Sequence, residues 1–320
     1  MHRRHFLAAG AGATFAPAQS PSDRSAIPIL DTHIHLYDPS RPQGVPWPAK
    51  TDTAIYKPTL PARLREVTKG LGVVGAIEVE CSPWLEDNQW VLDVIADEPI
   101  VVGMVGNLEP EKPGFRKHLE RFARNRLYRG IRYGYLWDRN PAKALERPEF
   151  IAGLKDLASA GLSLDTANPS VRLLEDVVRM SDKVPNLRIV VDHLAALYPP
   201  AEAPVRSRYQ ELLRELHGRP HVYAKLSAVL RMNAGKKVPY RLNAHKDRLD
   251  VLYETFGPDR VLYGSDWPNS DLSAPYTAGL AVMQEYFNAK GRQAAEKYFW
   301  RNSVTAYGWV PRTREQPKGL

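Results

Sequence analysis

Cysteine is nearly absent. Cys81 stands alone in 320 residues, so neither an internal disulfide nor a cysteine-based zinc cluster can form. Export is still open, because a chain of this size buries enough core to fold without cross-links. After the N-terminus there is no run of about 18 uninterrupted apolar residues, so no membrane span is expected. No Gly-x-Gly-x-x-Gly or Walker-type loop follows any apolar run, which argues against nucleotide phosphates as ligands. The formal charge is +8, yet the 44 Lys and Arg residues are scattered among 36 Asp and Glu and form no long basic run. That distribution reads as a solvated surface able to attract an anionic small molecule, and nucleic-acid binding is not expected. Internal repeats are lacking too.

What is present begins with a targeting segment. Arg3-Arg4 precede Phe6-Leu7 and an Ala/Gly-rich stretch, and Ala16-Pro17-Ala18 has the small-x-small form of a signal-peptidase site. Residues 1–18 are therefore expected to be a twin-arginine signal peptide that engages the export machinery and sends the chain to the periplasm or medium. A linker over 19–27, one folded domain over 28–310 and a C-terminal tail over 311–320 would follow.

In the domain, short β-branched runs alternate with amphipathic stretches, the pattern of βα units on a parallel sheet. Strands are expected at 29–36, 74–80, 100–107, 130–133, 163–167, 188–193, 222–226 and 261–266. Helices are expected at 61–70, 86–97, 114–125, 148–160, 170–183, 207–217, 248–256 and 273–288, with another over 293–307. Eight such strands favour a closed (β/α)₈ TIM barrel, an α/β fold. The Pro-rich loop 37–61, carrying Trp47 between Pro46 and Pro48, would lie over the C-terminal mouth as a fixed aromatic wall.

Chemistry concentrates at strand ends. In Asp31-Thr32-His33-Ile34-His35, residues two apart point the same way, so His33 and His35 project together into the barrel. They could bind one divalent metal, hold a substrate carbonyl, or be hydrogen-bonded interior histidines. His193 ends the apolar run 189–193. Alternation puts it with Ile189 and Val191 and puts Asp192 on the other face. It could be a third ligand, polarise a carbonyl, or pack under a helix. Asp266 ends a run stopped by Pro268 and could bind metal and shuttle a proton, or cap a turn. Glu78 and Glu80 share a strand face, and two unpaired carboxylates there are costly to bury. Glu80 is read as a contact to substrate or metal, or as an ion-pair partner of Lys225 or an arginine. Arg132 could grip a substrate carboxylate bidentately or form a structural salt bridge. Lys225 and Arg231 carry the same two readings. Cys81 is read as packing, since no thiolate-activating base can be assigned to it.

Taken in order, Asp31-Thr32-His33-Ile34-His35, Val191-Asp192-His193-Leu194, Ala224-Lys225-Leu226-Ser227 and Tyr263-Gly264-Ser265-Asp266-Trp267-Pro268 resemble the amidohydrolase-related family. Tyr128 to Arg132, Asn302 and Ala306-Tyr307 are similar to its branch of sugar-lactone and 2-pyrone-4,6-dicarboxylate lactonases. The resemblance spans about residues 29–307. It implies a hydrolase in which His33, His35, His193 and Asp266 are metal ligands, with Asp266 and His193 catalytic. Arg132, Glu80, Trp47, Lys225 and Arg231 would bind substrate. Two-metal members carry a bridging carboxylated lysine or glutamate on strand four or five. Here those strands offer Arg132 and Asp165, so at most one zinc or manganese ion is expected, with metal-independent catalysis as the alternative. The implied reaction is hydrolysis of a sugar-acid or carboxylated lactone: the carbonyl is polarised by the metal or the histidines, while Asp266 activates water and then protonates the ring oxygen. A metal-dependent decarboxylase and a non-catalytic periplasmic binding barrel are the rival readings.

Overall fold

The computed structural model describes residues 26–318 apart from Ala234, and the expected signal segment lies outside the described residues. Eight parallel strands stand in sequence order in one sheet. They are β1 (Ile29–Ile34), β2 (Val73–Val79), β3 (Val101–Gly106), β4 (Tyr128–Arg132), β5 (Ser163–Asp165), β6 (Arg188–Val191), β7 (Val222–Lys225) and β8 (Val261–Leu262). The sheet returns on itself where the chain after β8 meets β1. Thr32 N–H donates to Tyr263 O at 3.0 Å, Asp266 N–H to His33 O at 2.9 Å and His35 N–H to Trp267 O at 2.8 Å. With helices between the strands, this is the expected (β/α)₈ barrel.

Helix Val171–Lys183 shows why the intervening segments fold as they do. The Ser170 hydroxyl accepts from Leu173 N–H at 3.1 Å, satisfying one of the free amides of the first turn. Leu173, Leu174, Val177, Val178 and Met180 form its buried stripe. Each such burial contributes about 1.5–3 kcal/mol. Gly161 and Gly257 follow helices at φ of 69° and 68°, a region that costs glycine nothing.

The core has two parts. One fills the space between barrel and helices and includes Ile29, Ile34, Ile189 and Val191. The other lies inside the barrel, where Leu30, Ile77, Val79, Val102, Val105, Val190, Tyr223 and Leu262 pack above Trp300, Tyr307 and Trp309. The segment after residue 310 is pinned to the barrel floor. Arg312 Nη1 donates to the carbonyls of Ile95, Glu98 and Val101, and Gln316 Nε2 to those of Val74 and Pro99.

Several expected strands end early. β6 stops at Val191, where the next amides pair with side chains, and β8 at Leu262, after which Tyr263 N–H donates to Tyr298 O and two of the following amides to side chains. Asp192 N–H donates to Thr166 Oγ1, His193 N–H to Ser227 Oγ, Ser265 N–H to Asp31 Oδ1 and Trp267 N–H to Ser265 Oγ. A short helix, Pro141–Ala144, was not expected. The final helical stretch is broken into Arg292–Glu296, a π-helical turn Lys297–Arg301 and Asn302–Tyr307. Residues 37–60 hold no helix or strand, only a bridge between Tyr37 and Thr59, and a helix starts at Pro61.

Candidate active site

Two local departures from regular strand geometry build the mouth. In β1 the pairing passes from Asp31–Ala76 to Ile34–Glu78, three residues against two. This bulge moves the inward face from Leu30 to His33, where simple alternation would have kept Thr32 inside. At the end of β6, Val190 points inward while Ile189 and Val191 face the helices. Alternation would therefore send Asp192 inward and His193 out. His193 instead has φ 55°, and this left-handed turn swings the imidazole back to line the mouth. Asp266 is bent the same way, at φ 67°. Such a backbone costs a non-glycine residue about 1–2 kcal/mol, so the surroundings must over-determine it.

The turns make one cluster. Asp266 Oδ1 lies 3.3 Å from His35 Nε2, 3.5 Å from His193 Nε2 and 3.8 Å from His33 Nε2. All four residues are buried. Asp266 Oδ2 faces away and accepts from Arg231 Nη2 at 2.9 Å and Asn269 Nδ2 at 2.8 Å. Burial works against the Asp266 carboxylate, but the surrounding His193, His35, Arg231 and His33 outweigh it and hold the carboxyl well below its ordinary range. Burial above all keeps His33 and His193 far below the usual imidazole range, so both are neutral at pH 7.

Each imidazole is oriented from behind. His35 Nδ1 donates to Val79 O at 2.7 Å, leaving the Nε2 lone pair toward the cavity. His193 Nδ1 meets Ser227 Oγ at 2.7 Å. Behind His33 lies a buried polar layer. Lys225 Nζ is 2.8 Å from both Asp165 Oδ2 and Asp192 Oδ1, and 3.3 Å from His33 Nδ1. Tyr307 OH donates to Asp165 Oδ2 at 2.6 Å, and Arg132 Nε is 3.3 Å from Asp192 Oδ2. Burial alone would lower the Lys225 pKa, but the two carboxylates outweigh it and raise it.

A cavity of about 140 Å³ opens over this cluster, lined by His35, Trp47, Arg132, His193, Arg231 and Asp266 among others. Trp47 stands against His35, ring centres 5.4 Å apart, so the loop does supply an aromatic wall. Arg132 reaches the cavity while tied to Asp192 and to Glu80 O. Lys225 is placed otherwise than the substrate-contact reading requires. It is fully buried beneath His33, where its charge is used up by two carboxylates. Glu80 is held by Ser82 N–H and Trp137 Nε1, with Arg139, not Lys225, as its nearest cation at 3.8 Å. Glu78 and Glu80 line the same small helix-side cavity. Both oxygens of Glu78 are buried without a partner against the helix-side layer, and burial drives its pKa well above the usual range. Cys81 is buried, and burial pushes its thiol pKa up, as fits a packing role.

Sequence reasoning missed Asn269, Ser227 and the part played by Asp192. Asn269, three residues after Asp266, carried a spacing signal. Ser227 and Asp192 stand in strand-end motifs, but their partners left no local signal because the contacts are made across strands.

The donor chemistry fits one divalent ion. His33 Nε2 and Asp266 Oδ1 are both buried without a hydrogen-bond partner, and the ligand atoms of His33, His35 and Asp266 lie within 4.8 Å of one another. Two or three imidazoles and a carboxylate suit zinc or manganese. Lys225 can only donate, so its contact leaves the His33 proton on Nε2. Ligation through Nε2 needs that proton on Nδ1, where Asp192 Oδ1 at 3.5 Å can accept it.

Residues 30–309 match the family model described as Amidohydrolase. An L-fucono-1,5-lactonase of Burkholderia ambifaria is 28% identical over 288 residues, 87% of this chain and 94% of that protein. A zinc-bound amidohydrolase from Burkholderia multivorans superposes with TM-score 0.76 at 23% identity, covering 88% of this chain and 99% of that one. A probable 2-pyrone-4,6-dicarboxylic acid hydrolase from Acinetobacter baumannii, with citric acid bound, gives 0.70 at 16% identity over 88% and 99%.

Proposed function

Since the chain belongs to the amidohydrolase family, we propose that its four-residue centre opens a lactone ring by activated water. One observation carries this reading. A buried carboxylate oxygen, Asp266 Oδ1, faces three imidazole nitrogens with no hydrogen-bond partner of its own, in a cavity open to a small molecule. The L-fucono-1,5-lactonase likeness supports lactones as the substrate class.

In the mechanism, His33, His35, His193 and Asp266 would hold one zinc or manganese ion, which when bound polarises the carbonyl and acidifies water. The protein's own residues do the rest. Asp266 is held ionised, and with Oδ2 fixed by Arg231 and Asn269, Oδ1 on the histidine side is the oxygen that takes a proton from attacking water. The same oxygen then returns the proton to the ring oxygen as the C–O bond breaks, giving one hydroxy acid. His35 and His193 are locked by Val79 O and Ser227, so they do not have to reorganise as charge develops on the carbonyl oxygen. Arg132 and Trp47 position the ring. The N-terminal twin arginines support export of the folded enzyme, which cell fractionation with the Arg3-Arg4 pair replaced by lysines would check.

The test is acid release from sugar-acid and carboxylated lactones by the purified protein. Asp266→Asn is expected to keep the fold and lose about 10²–10⁴-fold in kcat, the usual contribution of one acid–base group. Near-normal turnover in that variant, or carbon dioxide release without lactone opening, would overturn the proposal.

A further inference from the structure

A second cavity, of about 340 Å³, adjoins the first. Asp266, Arg231 and Asn269 line both. The Asp266 carboxylate is thus a partition, with Oδ1 turned to the histidines and Oδ2 to Arg231 and Asn269. Beyond it the wall is largely carbon, made by Leu226, Val229, Tyr263, Leu280 and Met283, with Gly279 opening one side. Polar groups are few: Tyr263 OH and Ser270 Oγ are buried there without a hydrogen-bond partner, and two other hydroxyls are occupied. Tyr276 OH donates to Asp31 Oδ2 at 2.9 Å, and Ser273 Oγ accepts from Met232 N–H at 3.3 Å. Met232 and Leu272, large apolar residues at the outer lip, are 41% and 36% exposed.

Protein interiors seldom leave a void of this size unfilled, and its volume lies in the range of small-molecule sites. A polyhydroxylated ring substituent would bury more hydroxyls there than Tyr263 OH and Ser270 Oγ can pair, which is unfavourable. We infer that this cavity receives an apolar arm, alkyl or aryl, borne by the lactone ring on the side of the leaving oxygen. The inference rests on the lactonase reading and narrows its substrate class. The carbonyl lies over the histidines, and the arm passes beside Arg231, which keeps its bond to Asp266 Oδ2.

The experiment uses calorimetric binding of ring-opened products to the full-length protein: 4-hydroxybutanoate, 4-hydroxyoctanoate and 4-hydroxydecanoate. Affinity is expected to rise about four-fold per methylene until the cavity fills, the gain for moving one CH₂ out of water. Gly279→Leu is the filling variant. A side-chain carbon added at Gly279 meets nothing within 4 Å, and leucine favours the helix Tyr276–Lys290. It is expected to flatten the chain-length dependence, and Met283→Ala to extend it to longer chains. Equal affinity across the series, or an unchanged slope in Gly279→Leu, overturns the inference. Turnover of the matching γ-lactones separates the two readings. Tighter binding of long chains with no lactone opened keeps the subsite and removes the lactonase. Opening of the unsubstituted lactone with no chain-length effect does the reverse.

Discussion

Replacing Lys225 with methionine probes the support beneath the catalytic centre. The ammonium is fully buried and sits 2.8 Å from two carboxylates, Asp165 and Asp192. Methionine matches its length and removes the charge. Arg132 still compensates Asp192, at 3.3 Å, but Asp165 keeps only the neutral hydroxyls of Tyr307 and Ser163. Removing one member of a buried ion pair costs about 3–5 kcal/mol, so a loss of that size in urea unfolding at pH 7 is expected. Burial and Asp192 already raise the Asp165 pKa against the pull of Lys225, and losing Lys225 raises it further. A carboxyl whose folded pKa is raised binds a proton that the unfolded chain releases. Stability is therefore fullest below the unfolded value, 3.8, and declines as pH rises through the folded one. The variant's deficit should accordingly shrink between pH 8 and pH 5. Since Lys225 lies below the cavity, the kinetic effect should fall on kcat through a displaced His33, with KM little changed. A stability loss under about 1 kcal/mol, independent of pH, would refute the ion-pair reasoning. A rise in KM alone would reinstate Lys225 as a substrate contact.

Glu78→Gln should stabilise the protein at neutral pH. Burial, with Glu80 nearby, raises its pKa well above the usual range, so the folded protein holds a proton that the unfolded chain releases and stability falls as pH rises. Thermal denaturation against pH would show a flatter profile in the variant, and coincident profiles would sink the argument. Ser227→Ala removes the partner of His193 Nδ1 and of its backbone N–H, for an expected loss of about 1–3 kcal/mol in stability and a lower kcat. Unchanged kcat would show that His193 needs no such support. Dialysis against a chelator should abolish turnover and added Zn²⁺ or Mn²⁺ restore it. Full activity in metal-free protein would leave polarisation to the imidazoles.

Much of this architecture was readable in the chain. Apolar runs of strand length separated by helical periodicity announced the barrel, because a parallel sheet buried on both faces leaves that pattern. His33, His35, His193 and Asp266 could be nominated because each follows such a run, where βα loops gather at one end of a barrel. Two-residue spacing brought His33 and His35 to one side, and the bulge in β1 preserved that relation while choosing the inward side. Between the two readings of Lys225, substrate grip and structural salt bridge, the chain alone could not choose, for an equally physical reason. A lysine at a strand end looks like a rim residue until the strand is seen to bring it between two buried aspartates.

What the sequence determined on its own was periodicity and order: which segments fold, in what succession, and which reactive side chains fall at their ends. Tertiary structure decided direction and partnership. Whether His193 faces the mouth depends on a left-handed backbone that strand alternation opposes, and that backbone is held by Ser227, 34 residues away. The pairing of Asp266 with Arg231, the burial of Glu78 without a partner and the apolar cavity beyond the carboxylate likewise arise between elements far apart in the chain. Local propensity acts over a few residues, whereas hydrogen bonds, ion pairs and voids are set by whatever the closed barrel brings within a few ångströms.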